Sequence, residues 1–374
     1  MRSRHISPES VAQAYRVAIT LKLFPLEGGA GLAGPVAVKK HAPRYPYGLP
    51  GPAVHPTMGL IRAREGRLEE TVRIRVKTRP PWRRFADFPL VAMLIAVAIF
   101  IIANAFGLLV AKAMPPIDRT MGLAVAAAIN IALVFAVYKL AICRLGENPR
   151  DDLRLRDAPK GLGLGLLLGF LLFSLVVGVA AIADVYNIIG EGGIGQLIPV
   201  LVAMTILPAF MEEVLFRGIL FRWIEEFAGS WAALAVTSAL FGLGHILNPN
   251  ATALSSFAIA LEAGVLLGGV YMLTRNLWAA IGLHAAWNFT QGFIFDVPIS
   301  GIDQQGLVEA QLSGPTLLSG GAFGLEASLI AIVIATTAGV ALVVLAVRNG
   351  ELVRPWWVTR HRPRKEWQGQ GRNG

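Results

Sequence analysis

A single cysteine, Cys143, stands in the chain of 374 residues, so no intrachain disulfide and no cysteine-based metal site can form. Charge is scarce as well: Asp, Glu, Lys and Arg make up 16% of the residues and apolar types 55%, whereas soluble domains carry about a quarter charged residues. That shortage points to a chain embedded in lipid. It is unevenly spread: residues 1–87 and 348–374 are polar and rich in arginine, while 88–347 is a succession of apolar runs. The expected organisation is a membrane domain between two basic cytoplasmic tails. No internal repeat is visible, so a transporter assembled from inverted halves has no support. Nor does a short basic region lead directly into an apolar stretch near the amino terminus, as a cleaved secretory signal requires. The first span is expected to act as its own signal. Lys and Arg outnumber Asp and Glu by 34 to 24, but the surplus lies in the tails and beside apolar runs. Membrane topology accounts for it, and no nucleic-acid partner is expected.

What is present is a set of apolar segments. A spanning helix takes about 20 mostly apolar residues, and eight stretches qualify: 88–111, 120–143, 161–183, 194–217 with an extension to 226, 231–247, 252–274, 277–296 and 325–347. They predict an all-α, polytopic membrane protein with about eight transmembrane helices, and an even number puts both termini on one side. With those termini inside, the inner segments hold Arg83, Arg84, Arg144, Arg150, Arg154, Arg156, Lys160, Arg222, Arg275 and the tail from Arg348, and the outer loops hold only Lys112 and Arg119. The excess of positive charge on the inner side favours cytoplasmic termini. Trp82, Trp231, Trp278, Trp356 and Trp357 fall at span ends, where amphipathic rings prefer to sit. Residues 1–57, broken by Pro and Gly, show no helical or strand period and read as disordered. Met58 opens a more ordinary basic segment and is an alternative start; an intact mass that includes Met1 would exclude it.

An ionisable side chain at the bilayer centre costs at least about 2.5 to 3.5 kcal/mol, so those found in spans are candidates for function. AFMEEVLFRGIL holds Glu212, Glu213 and Arg217. Glu213 and Arg217 stand four apart, within pairing reach on one helix face. Glu212 is rotated from Glu213 by about 100°, so one glutamate neutralises the arginine and the other stays available. SALFGLGHILNPN adds His245 one turn after Phe241, and NLWAAIGLHAAWNFTQG adds His284 and Asn288 on one face. At about 1.5 Å per residue, three helices bring these groups to similar, mid-to-inner depth. They are expected to face one another across a water-accessible cavity, since lipid does not tolerate them. A glutamate and a histidine that share a water make it nucleophilic, the carboxylate acting as a general base. His284 and Asn288 offer N–H groups to a developing oxyanion, donors that contribute on the order of 3 to 4 kcal/mol each. Alternatively Glu212, His245 and His284 bind Zn²⁺ with an open position for water. The residues leave both routes open. Glu262 reads as a protonated packing residue or a further cavity group, and Lys139 as a side chain that snorkels to the interface.

Together the three segments resemble the CAAX prenyl endopeptidase and bacteriocin-processing (CPBP) family of intramembrane proteases, marked by EExxxR, FxxxH and HxxxN in that order on transmembrane helices. Glu212-Glu213 to Arg217, Phe241 to His245 and His284 to Asn288 match without departure. The resemblance covers residues 161–296 and excludes both tails. It implies Glu212 as the water-activating base, His245 as its partner on that water, and His284 with Asn288 as oxyanion stabilisers, with Glu213 and Arg217 shaping the site. Family members are commonly named metalloproteases, and the arrangement also suits a metal-free glutamate protease, so zinc stays optional. The implied activity is endopeptidase cleavage of a membrane-bound or lipid-anchored peptide. Eukaryotic relatives remove the last three residues of prenylated proteins. The Ala-, Gly- and Arg-rich composition is that of a bacterium of high genomic GC, which argues for a bacterial inner membrane and against a prenylated substrate. The competing reading is a non-catalytic scaffold, immunity protein or transporter that uses the buried cluster for binding.

Overall fold

The structure is a computed structural model that describes residues 80–113 and 118–360. The expectations for residues 1–57, and the end of the carboxy-terminal tail, lie outside the described residues. In chain order the main helices are α1 (Pro89–Ala113), α2 (Arg119–Leu140), α3 (Ala158–Ile182), α4 (Leu197–Ala228), α5 (Ser230–Leu247), α6 (Ala253–Thr274), α7 (Leu277–Phe289) and α8 (Leu329–Arg348). All but α7 are long and apolar enough to cross a membrane, making seven among the described residues. The expected count of eight thus becomes seven plus α7, which a π turn continues over Thr290–Ile294. The physical reason lies in its surroundings. Eleven of the 13 residues of α7 are buried, so its side chains meet protein rather than lipid, and His and Asn are tolerated where apolar residues would otherwise be required.

The helix ends follow from local chemistry. Asp118, Asn276 and Ser328 accept backbone N–H groups at the starts of α2, α7 and α8, and Thr252 forms a capping box with Ser255 at α6. Gly229, at φ 87°, lets α4 stop and α5 begin without a loop. Helix α7 is held against α3 by small residues. A Cβ on Gly165 would stand 2.2 Å from the Ala279 carbonyl oxygen, and one on Gly169 would stand 2.4 Å from that of Leu283. The two backbones therefore touch, as in small-residue packing of membrane helices, and Phe173 closes the seam on Trp287 with ring centroids 5.1 Å apart.

At one end of the bundle the described ends of the chain meet, with the Phe88 ring 5.6 Å from that of Trp356. Here the α2–α3 connection is bound by charge. Asp152 accepts from the Tyr271 hydroxyl at 2.8 Å and from Arg150 at 3.1 Å, Arg275 reaches Glu225 at 2.7 Å, and Lys139 pairs with Asp151. Burial works against the charge of Arg275, and the Glu225 carboxylate outweighs it, holding the guanidinium above the usual arginine range. At the opposite end, β1 (Tyr186–Glu191) pairs antiparallel with β2 (Val308–Leu312), Tyr186 facing Leu312. YNIIGE and VEAQL are too short and irregular to announce themselves as strands, and the pattern predicts only loops there.

Candidate active site

The three motifs converge on one cavity of about 370 Å³. Helix α4 supplies Glu212, α5 ends on it with His245, and α7 supplies His284 and Asn288. Glu212 is partly buried, and its Oε2 is enclosed with no hydrogen-bond partner in the protein. Its neighbour behaves differently. Glu213 is fully buried, and its Oε1 accepts from Arg217 Nη1 at 2.8 Å and from His284 Nδ1 at 3.0 Å. The spacing of four predicts the Glu213–Arg217 pair, and the pair forms at 2.8 Å. It touches His284 directly.

The two histidines are fixed by opposite kinds of acceptor. His245 Nδ1 lies 2.7 Å from the Phe241 carbonyl oxygen. A carbonyl can only accept, so Nδ1 carries the proton and Nε2 of the neutral ring keeps its lone pair. His284 Nδ1 likewise donates to Glu213, a carboxylate beside an imidazole being the arrangement that stabilises the ring when it is doubly protonated. Its Nε2 donates only in that imidazolium form.

Phe241 explains why the second motif needs an aromatic residue. Its ring packs 4.9 Å from that of His245, 6.1 Å from that of His284 and 4.9 Å from Phe216, with the Arg217 guanidinium 4.8 Å from its centroid. One flat side chain thus seats both histidines and takes the face of the buried cation. Arg217 also donates through Nη2 to the Ala263 and Gly264 carbonyls at 3.2 and 3.4 Å, beside a π turn of α6 at Ala260–Gly264.

Asn288 Nδ2 donates to the Met204 carbonyl at 2.9 Å. Met204 stands four residues before Pro208, which has no N–H to give, and within a π segment, Val200–Ile206. Asn288 binds that carbonyl from the neighbouring helix. One N–H of the asparagine is committed there and the other is not.

Among the described residues no three His, Cys, Asp or Glu side chains form a group that could hold a metal. Glu212, His245 and His284 share the cavity wall without making such a set, and His284 spends Nδ1 on Glu213. Glu262 is buried and absent from the cavity lining, in keeping with the packing alternative. Five polar lining residues went unread in the sequence: Asn104, Asn130, Asn248, Ser300 and Glu326. Glu326 accepts from Trp287 Nε1 at 3.2 Å and from the Ser300 backbone N–H at 2.7 Å, tying the segment before α8 to α7. A carboxylate at the head of an apolar run was the available signal for it, and amides inside two apolar runs the signal for Asn104 and Asn130.

No curated protein and no solved structure matches the chain. Residues 194–290, which carry all seven motif residues from Glu212 to Asn288, match the family model described as type II CAAX prenyl endopeptidase Rce1-like, and over that stretch the chain has the family likeness to which its CPBP motifs pointed.

Proposed function

We propose that the protein is an intramembrane endopeptidase in which Glu212 activates water against a peptide bond of a membrane-associated substrate. One observation carries the reading: Glu212, whose enclosed Oε2 has no partner in the protein, lines the same cavity as His245 and His284, whose Nδ1 atoms are both committed elsewhere. A water between Glu212 and His245 donates one hydrogen to the carboxylate and the other to the His245 Nε2 lone pair. As its oxygen bonds to the scissile carbonyl carbon, Glu212 takes the proton. The oxyanion accepts from Nε2–H of the His284 imidazolium, which Glu213 stabilises, and from the uncommitted N–H of Asn288. Glu212 then returns the proton to the amine nitrogen as the C–N bond breaks. Arg217 holds Glu213 in place through its 2.8 Å bond to Oε1.

The match to type II CAAX prenyl endopeptidase Rce1-like sequences supports the reaction class. The substrate proposed is a peptide held at or in the bilayer, and the bacterial inner membrane is the proposed location on composition. No step is routed through a metal. If zinc joins Glu212, His245 and His284, a chelator that verifiably strips metal will abolish cleavage; the side-chain route predicts full activity after that treatment.

The test is to incubate the purified protein and Glu212→Gln with a quenched fluorescent peptide library in detergent. Loss of cleavage by about 10³-fold or more with an unchanged melting temperature is expected. Equal cleavage, or none by folded wild type, would support the scaffold reading instead.

A further inference from the structure

The groups given roles above come from α4, α5 and α7, yet α1 and α2 also wall the cavity, through Phe100, Asn104 and Asn130. Both asparagines are buried within apolar helices, at 8% and 2% exposure, and Oδ1 of Asn130 has no hydrogen-bond partner in the protein. The space for that amide is built. A Cβ on Gly107 of α1 would stand 3.0 Å from both Cγ and Oδ1 of Asn130, so any larger residue there pushes the carboxamide by a few tenths of an ångström. A buried amide without a partner on a cavity wall is able to bond to the contents of the cavity. A carboxamide presents an acceptor and donors side by side, the complement of a peptide unit. The residues that α1 and α2 give the cavity carry no charge, which does not suit an ionic ligand.

We propose that Asn104 and Asn130 are positioning residues that hold the main chain of the substrate along the α1–α2 wall, a substrate N–H donating to Asn130 Oδ1. The proposal rests on the peptidase reading, and concerns helices outside the matched stretch 194–290. The alternative role, stitching α1 to α2, would be seen in stability rather than in substrate affinity.

The test uses the full chain in detergent and a library peptide whose cleavage depends on Glu212. Asn130→Leu and Asn104→Leu, close in volume to the native side chains, are expected to raise KM by about tenfold with kcat within about threefold and no fall in melting temperature. Gly107→Ala, which pushes on the Asn130 amide, should shift KM the same way. Replacing one backbone N–H of the peptide at a time by an ester oxygen should then find a position where wild type loses about tenfold in kcat/KM and Asn130→Leu loses nothing further. Unchanged KM in both leucine variants, or an ester penalty undiminished in Asn130→Leu, would overturn the proposal while Glu212-dependent cleavage kept the peptidase reading intact. If Asn130→Leu fails to fold, Asn104→Leu, Gly107→Ala and the ester scan on wild type decide. Cleavage that survives Glu212→Gln, or is absent from folded wild type, overturns both.

Discussion

Oε1 of Glu213 serves Arg217 and His284 at once, so three side chains depend on one buried atom. Removing one partner leaves a charge without compensation in a medium that solvates it poorly. Arg217→Met is therefore expected to destabilise the protein by about 3 to 5 kcal/mol, read as a lower melting temperature in detergent. Glu213→Gln keeps an acceptor for His284 Nδ1 but withdraws the negative charge that favours the imidazolium. It should lower kcat by about 10²-fold and leave KM nearly unchanged; a change confined to KM would argue that Glu213 positions substrate instead. The identities of these residues were legible from EExxxR and HxxxN. The bond between the two motifs was not, because Glu213 and His284 are 71 positions apart and only packing brings them together.

Among the helices, α4 is where sequence and site meet most closely. Pro208 removes an N–H, π segments lie on either side of it, and the Met204 carbonyl close by orients Asn288. Pro208→Ala adds a donor next to that carbonyl and tightens the helix around it. The expected result is a fall in kcat of about tenfold with a melting temperature no lower than wild type. Equal kcat would show that Asn288 needs no such anchor. Helix α7 depends on α3 in a different way, through backbones in contact. Gly169→Val places atoms where the Leu283 carbonyl already lies, and should destabilise by about 1 to 3 kcal/mol while also reducing cleavage, as α7 carries His284. The apolar runs revealed seven of the helices plainly. The π segments and the β1–β2 ribbon were hidden, the first because α and π turns share composition, the second because its two strands are separated by more than a hundred residues and pair only once the helices are in place.

For the whole molecule, both described ends of the chain lie at one end of the bundle, with the β1–β2 ribbon at the other. The distribution of arginine predicts that the end with the termini faces the cytoplasm. In a Cys143→Ser background, a membrane-impermeant maleimide added to intact cells should label Glu191→Cys and should reach Arg354→Cys only after permeabilisation; the reverse pattern would invert the topology. What the sequence determined by itself was the class of molecule, the approximate extent of its helices and the chemical identity of the motif residues, because lipid demands long apolar segments and makes each charge within them conspicuous. Only the tertiary structure decided which atoms stay free. Glu212 keeps Oε2 without a partner, Glu213 gives Oε1 to Arg217 and His284, and Asn130, on a wall of the same cavity, keeps Oδ1 unpaired. Hydrogen-bond assignment in a buried site depends on which groups meet across helices, and that is set by packing over distances no local pattern records.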